Sequence, residues 1–450
     1  MPLSMPRSQK QSDILSPRID IAPDNALVDQ VIRIRLSGIM PNHAVTLRAQ
    51  MQDNLGGAWT SHASFRANAT GAVDVSSQPP LSGTYQGTDP MGLFWSMATQ
   101  DELKGATFVL ETPNAPTITT LSAEVGSQIV ASATLERTHL AHGVRVVPVR
   151  EQGLVGTLFL PESNAPRPAI IDLGGSVGGL RESRAALLAS HGYAALALAY
   201  FGIERLPQDF VRIPLEYFET AIKWLQATEG VASDRLAVIG ESRGGELALL
   251  LGATFTQVRA VVGVVPSGVM LTGFRRGFAG LVEMLIRRPA AWTHRGAPLP
   301  GLVPGRSVSS FVSYGWKRLM RDPIAGAPFF LEAMKDTDAV ERAAIPVERI
   351  NGPVLLLSAQ DDQFSASPVL SEVAIERLAR SKHPYPYEHI CYQGAGHVFG
   401  MPYQPATVTR AHHPVAGGIY LAGGNPRDNA FAAADSWNRI LRFLERSLGT

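Results

Sequence analysis

The sequence predicts an all-β sandwich followed by a doubly wound, mostly parallel α/β sheet. Three observations predict it. The first third alternates polar and apolar residues with period two. After residue 147 come continuous apolar runs of strand length, and segments of helical period separate those runs.

Residues 1–22 are Ser-rich, lack the apolar core of a secretory signal and read as a flexible tail. Arg7, Lys10 and Arg18 faintly suggest a transit peptide, but Asp13 and Asp20 argue against one. Residues 23–147 read as the sandwich. From Val31, Ile32, Ile34 and Leu36 share one face while Arg33 and Arg35 share the other, as in a half-buried strand. Similar runs lie at 44–51, 107–111 and 128–136. Turn residues separate them, among them Gly38 to Pro41, Asn54 to Gly57 and Pro79-Pro80.

Residues 148–450 read as the α/β unit. Expected strands are 169–173, 194–199, 235–240, 260–265, 353–358 and 387–392. Expected helices are 181–191, 215–228, 244–253, 368–380 and 429–448. Residues 267–345 break the alternation and read as a lid inserted over one end of the sheet.

Composition narrows the function. The chain has 450 residues, 45% hydrophobic and 18% charged, with 40 basic residues against 39 acidic ones. That excludes a disordered acidic or basic tail and gives no basic field for nucleic acid. The single cysteine, Cys391, excludes an internal disulfide and a cysteine-rich zinc site. No run reaches the roughly 18 apolar residues of a spanning helix, so stable membrane insertion is not expected and a cytoplasmic location is. No cofactor or metal is expected.

Gly240-Glu241-Ser242-Arg243-Gly244 fits G-x-S-x-G, after an apolar strand and before a helix. That placement is a nucleophile elbow, and it turns the α/β unit into an expected α/β hydrolase. A serine hydroxyl needs a base, and the fold orders nucleophile, acid, then histidine. His397, in Gln393-Gly-Ala-Gly-His397, leaves the last strand on a glycine-rich loop and is the favoured base. His389 falls inside a strand, and His412-His413 follows Pro402 and Pro405 with no strand before it. Asp361 and Asp362 both follow the strand at 353–358. Distance past the strand end favours Asp362, leaving Asp361 to cap the turn. For the oxyanion, the expected donors are the backbone N–H of Arg243 and that of Gly175 or Ser176. The loop 174–179 could also cradle a dinucleotide phosphate, but it lacks G-x-G-x-x-G and no acid ends the next strand.

Longer segments extend the likeness. Asp89-Pro-Met-Gly-Leu-Phe-Trp95, Gly156-Thr-Leu-Phe-Leu-Pro161, Glu216-Tyr-Phe-Glu219, Gly240 to Glu246, Ile345-Pro-Val-Glu348, Gln360-Asp-Asp362 and Asp435-Ser-Trp437 resemble the acyl-CoA thioesterases related to bile acid-CoA:amino acid N-acyltransferase. The resemblance implies an immunoglobulin-like first domain, a Ser242–Asp362–His397 triad and cleavage of an acyl-CoA thioester. Members with Cys at the nucleophile resemble acyltransferases and those with Ser resemble hydrolases, so Ser242 favours hydrolysis. Transfer to an amine or alcohol, a CoA-independent carboxylesterase or lactonase, and a binding module on an inactive hydrolase fold are the alternatives. Glu241 departs from the family, which usually has an apolar residue there.

The lid hides a charge asymmetry. Between Met270 and Asp322, nine basic residues face Glu283 and Asp322, a net +7. Residues 278–286 between two arginine pairs are apolar at helical spacing, so the lid reads as amphipathic and basic. Arg275, Arg276, Arg287 and Arg288 are the expected contacts for coenzyme A phosphates. A solvated helical face or a weak membrane-surface contact would explain the same pattern.

Overall fold

The computed structural model describes residues 16–53, 55–100, 108, 115–277, 280, 283, 286–305, 307–398 and 400–449. Its first strands are β1 (Arg18–Ala22), β2 (Asn25–Leu27), β3 (Arg33–Ser37), β4 (Ala44–Gln52) and β5 (Ala58–Arg66). They are followed by β6 (Val73–Asp74), β7 (Ser82–Gly83), the one-turn helix α1 (Gly92–Trp95), β8 (Thr117–Val125) and β9 (Gln128–Thr138). They form a three-stranded sheet, β1-β3-β6, and a six-stranded sheet, β2-β9-β8-β4-β5-β7. Ile34 and Leu36 of β3 meet Leu47, Phe65 and Leu121 of the larger sheet in one buried cluster, as a sandwich requires.

Two expectations change here. Residues 18–22, read as tail, form β1. Ile19 and Ile21 alternate with Arg18 and Asp20, pair opposite Leu36 and Ile34, and pack on the sandwich core. The strand β10 (Val144–Val149) also straddles residue 147 and pairs with the second sheet. Of the strand expected at 107–111, only Phe108 lies within the described residues; its ring meets Trp59 edge-on at 5.5 Å.

The second sheet adds β11 (Val155–Pro161), β12 (Arg167–Leu173), β13 (Ala194–Ala199), β15 (Val231–Glu241), β16 (Val258–Val264), β19 (Val354–Ala359) and β20 (Tyr387–Tyr392). Among the described residues its order is β10-β11-β13-β12-β15-β16-β19-β20. The first three strands are antiparallel neighbours and the rest run parallel. The strands read as continuous apolar runs because both faces are covered. Ile171 and Val238 face α3 (Leu215–Gln226), α4 (Arg243–Thr254) and α8 (Ser367–Arg380). Ile170, Ala237 and Ile239 face α2 (Ser183–Ser190) and α9 (Pro426–Leu448). Each fully buried Leu or Ile contributes about 1.5–3 kcal/mol, so this double layer dominates stability.

The chain goes from β12 to β13 on one side and later returns to β15 on the other. The strand order therefore reverses between β12 and β15, and a crevice opens beyond their carboxyl ends. Asp29 ties the first sheets to this layer, accepting from Trp437 Nε1 of α9 at 2.8 Å and sitting 2.6 Å from His191 Nε2.

The expected lid holds α5 (Val308–Met320), α6 (Ala327–Ala333) and α7 (Thr337–Ala343). Its β17 (Trp292–His294) and β18 (Ala297–Pro298) extend β14 (Ile213–Pro214) into a small sheet. Farther along, β21 (Arg410–His412) and β22 (Ile419–Leu421) make a hairpin beside the crevice. Residues 278–286 fall largely outside the described residues, and Arg306 does so too. Among the described residues no helix is long and apolar enough to cross a membrane.

Candidate active site

Ser242 sits between β15 and α4 with φ 55° and ψ −118°, a left-handed conformation that costs about 1–3 kcal/mol in a non-glycine residue. The surroundings hold it there. Its N–H donates to Val264 O at 2.8 Å, and its carbonyl accepts from Gly245 N and Glu246 N. Gly240 is obligatory, because a Cβ there would lie 1.9 Å from Gly244 O. The tight turn that presents Ser242 is thus written in its flanking glycines.

Ser242 Oγ lies 3.1 Å from His397 Nε2, and His397 Nδ1 lies 2.9 Å from Asp362 Oδ2. The structure brings these three side chains into one hydrogen-bonded line from three separate loops. Asp362 Oδ1 accepts from Phe364 N and Ser365 N, and Oδ2 also accepts from Ser365 Oγ and Ser367 N. Burial alone would raise its pKa, but the His397 charge and these donors hold it well below the ordinary carboxylate range. Asp362 is therefore an anion that fixes a proton on Nδ1 and leaves the Nε2 lone pair facing Ser242. Burial disfavours the His397 cation, yet Asp362, and more weakly Glu241, carry its pKa above the ordinary 6.5. Asp361 turns away, accepting from Gly424 N at 2.8 Å and from Gln363 Nε2. His389 instead meets Ser358 Oγ within the sheet.

Arg243 opens α4, and the N–H of a first helical residue has no intrahelical partner. Gly175 abuts the nucleophile, since a Cβ there would come within 3.3 Å of Ser242 Cβ. Among the described residues neither Gly175 N–H nor Ser176 N–H has an acceptor. A donor pair from the β12 and β15 ends is thereby available beside Ser242. The Arg243 side chain turns inward. It meets Glu246 Oε2 at 2.8 Å, donates to Leu271 O and stacks 4.7 Å over Phe210. Burial pushes Glu246 up to about 7, despite the opposing pull of Arg243 and a bond from Trp292 Nε1.

A pocket runs from Ser242 under the lid. Ser176 and Arg243 line it beside Val265, Pro266, Leu370 and the lid residues Leu271, Phe274, Tyr314, Phe329 and Phe330. The lining is predominantly apolar, suited to a hydrocarbon chain. His413, set aside in the sequence for want of a preceding strand, also faces it. The short β21 that positions it has no long apolar run to announce it.

The lid arginines differ in their surroundings. Arg275 reaches the pocket lining, but Asp209 at 2.8 Å and Glu283 at 3.1 Å already hold its guanidinium. Arg276 Nε donates to Gln208 O. Arg287 is exposed, 3.6 Å from Glu283, and exposed Arg288 has φ 49°. The +7 of the segment is thus reduced locally by Asp209, which lies outside it.

A family profile described as the acyl-CoA thioester hydrolase/BAAT N-terminal region matches residues 29–151. A second, described as BAAT/acyl-CoA thioester hydrolase C terminal, matches residues 213–279 and 324–450. The stretch between those last two segments lies within the expected lid. Acyl-coenzyme A thioesterase 1 of Mus musculus is 32% identical over 425 residues, covering 94% of this chain and 94% of that one. Acyl-coenzyme A thioesterase 1 of Homo sapiens is 32% identical over 428 residues, with 94% of each chain covered. Acyl-coenzyme A thioesterase 2, mitochondrial, of Mus musculus is 32% identical over 425 residues, covering 94% of this chain and 87% of that one. Among solved structures, the α/β hydrolase GrgF from Penicillium sp. sh18 is 16% identical with a TM-score of 0.39, covering 68% of this chain and 99% of that one. With both profiles spanning most of the chain and relatives matching it nearly end to end, this protein belongs to the acyl-CoA thioester hydrolase/BAAT family.

Proposed function

We propose that this protein hydrolyses acyl-CoA thioesters through an acyl-Ser242 intermediate. One observation carries the reading: the hydrogen-bonded line Asp362–His397–Ser242, with spacings of 2.9 and 3.1 Å, whose serine lines an apolar pocket. The thioesterase names of the relatives support the substrate class. His397 Nε2 takes the Ser242 proton as Oγ attacks the thioester carbonyl, and Asp362 holds the imidazolium that forms. The oxyanion of the tetrahedral intermediate faces the N–H of Arg243 and that of Gly175 or Ser176, each donor supplying about 2.7–4 kcal/mol. The C–S bond breaks, and His397 returns its proton to the departing coenzyme A thiolate. Water, deprotonated by His397, then attacks the acyl-Ser242 ester; the acyl–oxygen bond breaks, His397 returns the proton to Ser242 Oγ and the free acid leaves.

The phosphates of coenzyme A are proposed to meet Arg275, Arg276, Arg287 and Arg288, with exposed Arg287 and Arg288 contributing most because Asp209 and Glu283 occupy Arg275. The location proposed for this chemistry is the cytoplasm, and the proposed division is a sandwich that begins with β1 at Arg18 and ends with β9 at Thr138, before a catalytic domain that begins with β10 at Val144.

Intact-protein mass after mixing with a panel of acyl-CoAs tests the reading. A transient acyl adduct is expected that decays to enzyme and free acid, with none in Ser242→Ala. Undiminished turnover in Ser242→Ala overturns the proposal. An amide or ester of an added amine or alcohol, in place of free acid, assigns the chain to acyl transfer.

A further inference from the structure

The pocket contains a second buried histidine that the Ser242 chemistry leaves unused. His413 is 7% exposed, and its ring packs against Phe364 at 6.0 Å, Tyr420 at 5.8 Å and Phe274 at 6.1 Å. Two backbone amides point at one of its nitrogens: Ala416 N and Val415 N donate to Nδ1 at 3.0 and 3.3 Å. A nitrogen that accepts two N–H groups bears a lone pair, so the ring proton sits on Nε2. That Nε2–H lies 2.9 Å from Ser176 Oγ, which must accept it. The environment agrees with a neutral ring, because burial lowers the His413 pKa to about 4.

The Ser176 hydroxyl has one proton of its own left to place. Among the described residues its hydrogen-bonding partner is His413, and the bond to it uses a Ser176 lone pair. Ser176 is next to Gly175, the residue against Ser242 Cβ, and both serines line the same pocket. A donated bond from His413 also polarises the hydroxyl and makes it a better donor.

We propose that the Ser176 hydroxyl, oriented by neutral His413, is a side-chain donor to the oxyanion formed on Ser242 attack. This inference rests on the serine-nucleophile reading above. Ser176 is the catalytic residue of the pair, since it touches the reacting oxygen. His413 is a positioning residue that acts through it. Phe364, tilted over His397 at 4.7 Å and stacked on His413, keeps the two imidazoles in separate roles. One carries the proton of the reaction, while the other stays neutral and aims a hydroxyl.

The test is steady-state kinetics of Ser176→Ala, Ser176→Thr, His413→Phe and the double variant Ser176→Ala/His413→Phe, beside Ser242→Ala. Removing one oxyanion donor costs about 10²–10³ in kcat. Ser176→Ala is expected to lose about 100-fold in kcat with KM within about 2-fold, and Ser176→Thr to recover most of it. His413→Phe keeps the aromatic packing, loses the N–H and is expected to lower kcat at unchanged KM. The double variant should fall no further than Ser176→Ala, because both changes remove one donor. Wild-type kcat in Ser176→Ala, or losses that multiply in the double variant, overturns the inference. Ser242→Ala separates the two claims: if it is inactive while Ser176→Ala is unimpaired, only this inference falls. If Ser242→Ala turns over normally, both fall.

Discussion

Two buried acid–base pairs flank Ser242, and they differ in how the acid is solvated. On one side Asp362 accepts five hydrogen bonds, two of them at Oδ1 and three at Oδ2. On the other, Glu246 Oε1 accepts from Trp292 Nε1 at 2.7 Å and Leu271 N at 3.3 Å. Its Oε2 meets Arg243 at 2.8 Å but has no well-aligned hydrogen bond. Both carboxylates are inside the protein, yet one is held far below the ordinary carboxylate range and the other is pushed up to about 7. Burial acts on both; on Asp362 the His397 charge and hydrogen bond, joined by donors of the loop after β19, outweigh it, whereas on Glu246 Arg243 and Trp292 do not. Where an imidazole and a turn's donors meet one carboxylate, the protein keeps a fixed negative charge that can steady an imidazolium.

The contrast can be broken at its strongest point first. Asp362→Asn removes the charge and the tautomer control, and kcat is expected to fall by about 10⁴. Single-turnover acylation measured beside an unfolding curve checks that the loss is chemical. Glu246→Ala should do the reverse. It leaves the buried Arg243 guanidinium uncompensated, so a destabilisation of about 3–5 kcal/mol is expected in urea unfolding. The residual kcat of whatever remains folded should fall much less than in Asp362→Asn. Equal kinetic losses in the two variants would erase the distinction.

Two smaller effects concern His397. In the proposed mechanism its neutral form is the base, so kcat/KM should decline as pH falls through its pKa. That pKa is raised, which puts the acid limb above the ordinary 6.5. A limb below that value would mean that Asp362 does not act on His397 as its position implies. Last, Glu241→Gln removes the more distant carboxylate that favours the His397 cation. The limb should move to lower pH while kcat on the plateau holds, as a pH–rate profile would reveal. Glu241 also lies 3.8 Å from Arg184, which donates to Asp172 at 2.7 Å, so part of its charge is already answered.

Much of this site is legible in the chain. Gly240 and Gly244 around Ser242 announce the elbow because the backbone closes on itself there. The apolar runs announce β12, β15 and β19, and hence the loops that end at Ser176, Ser242 and Asp362. The strand β1 alternates Ile19 and Ile21 with Arg18 and Asp20, but five residues are too short a run for that pattern to stand out. The charge around the lid is less legible: residues 270–322 carry a net +7, but Asp209, 66 residues from the Arg275 it binds, lies outside that segment.

The sequence by itself determined what is local. Strand and helix periods and the strained serine turn depend on neighbours a few residues apart. Only the tertiary structure decided what depends on distant partners. It chose Asp362 over Asp361 to face His397, because five donors from two loops surround one carboxylate and the other turns to Gly424. It also set His413 against Ser176, a partner 237 residues away. Hydrogen bonds reach about 3 Å in space without regard to chain distance, and a linear pattern does not encode that meeting.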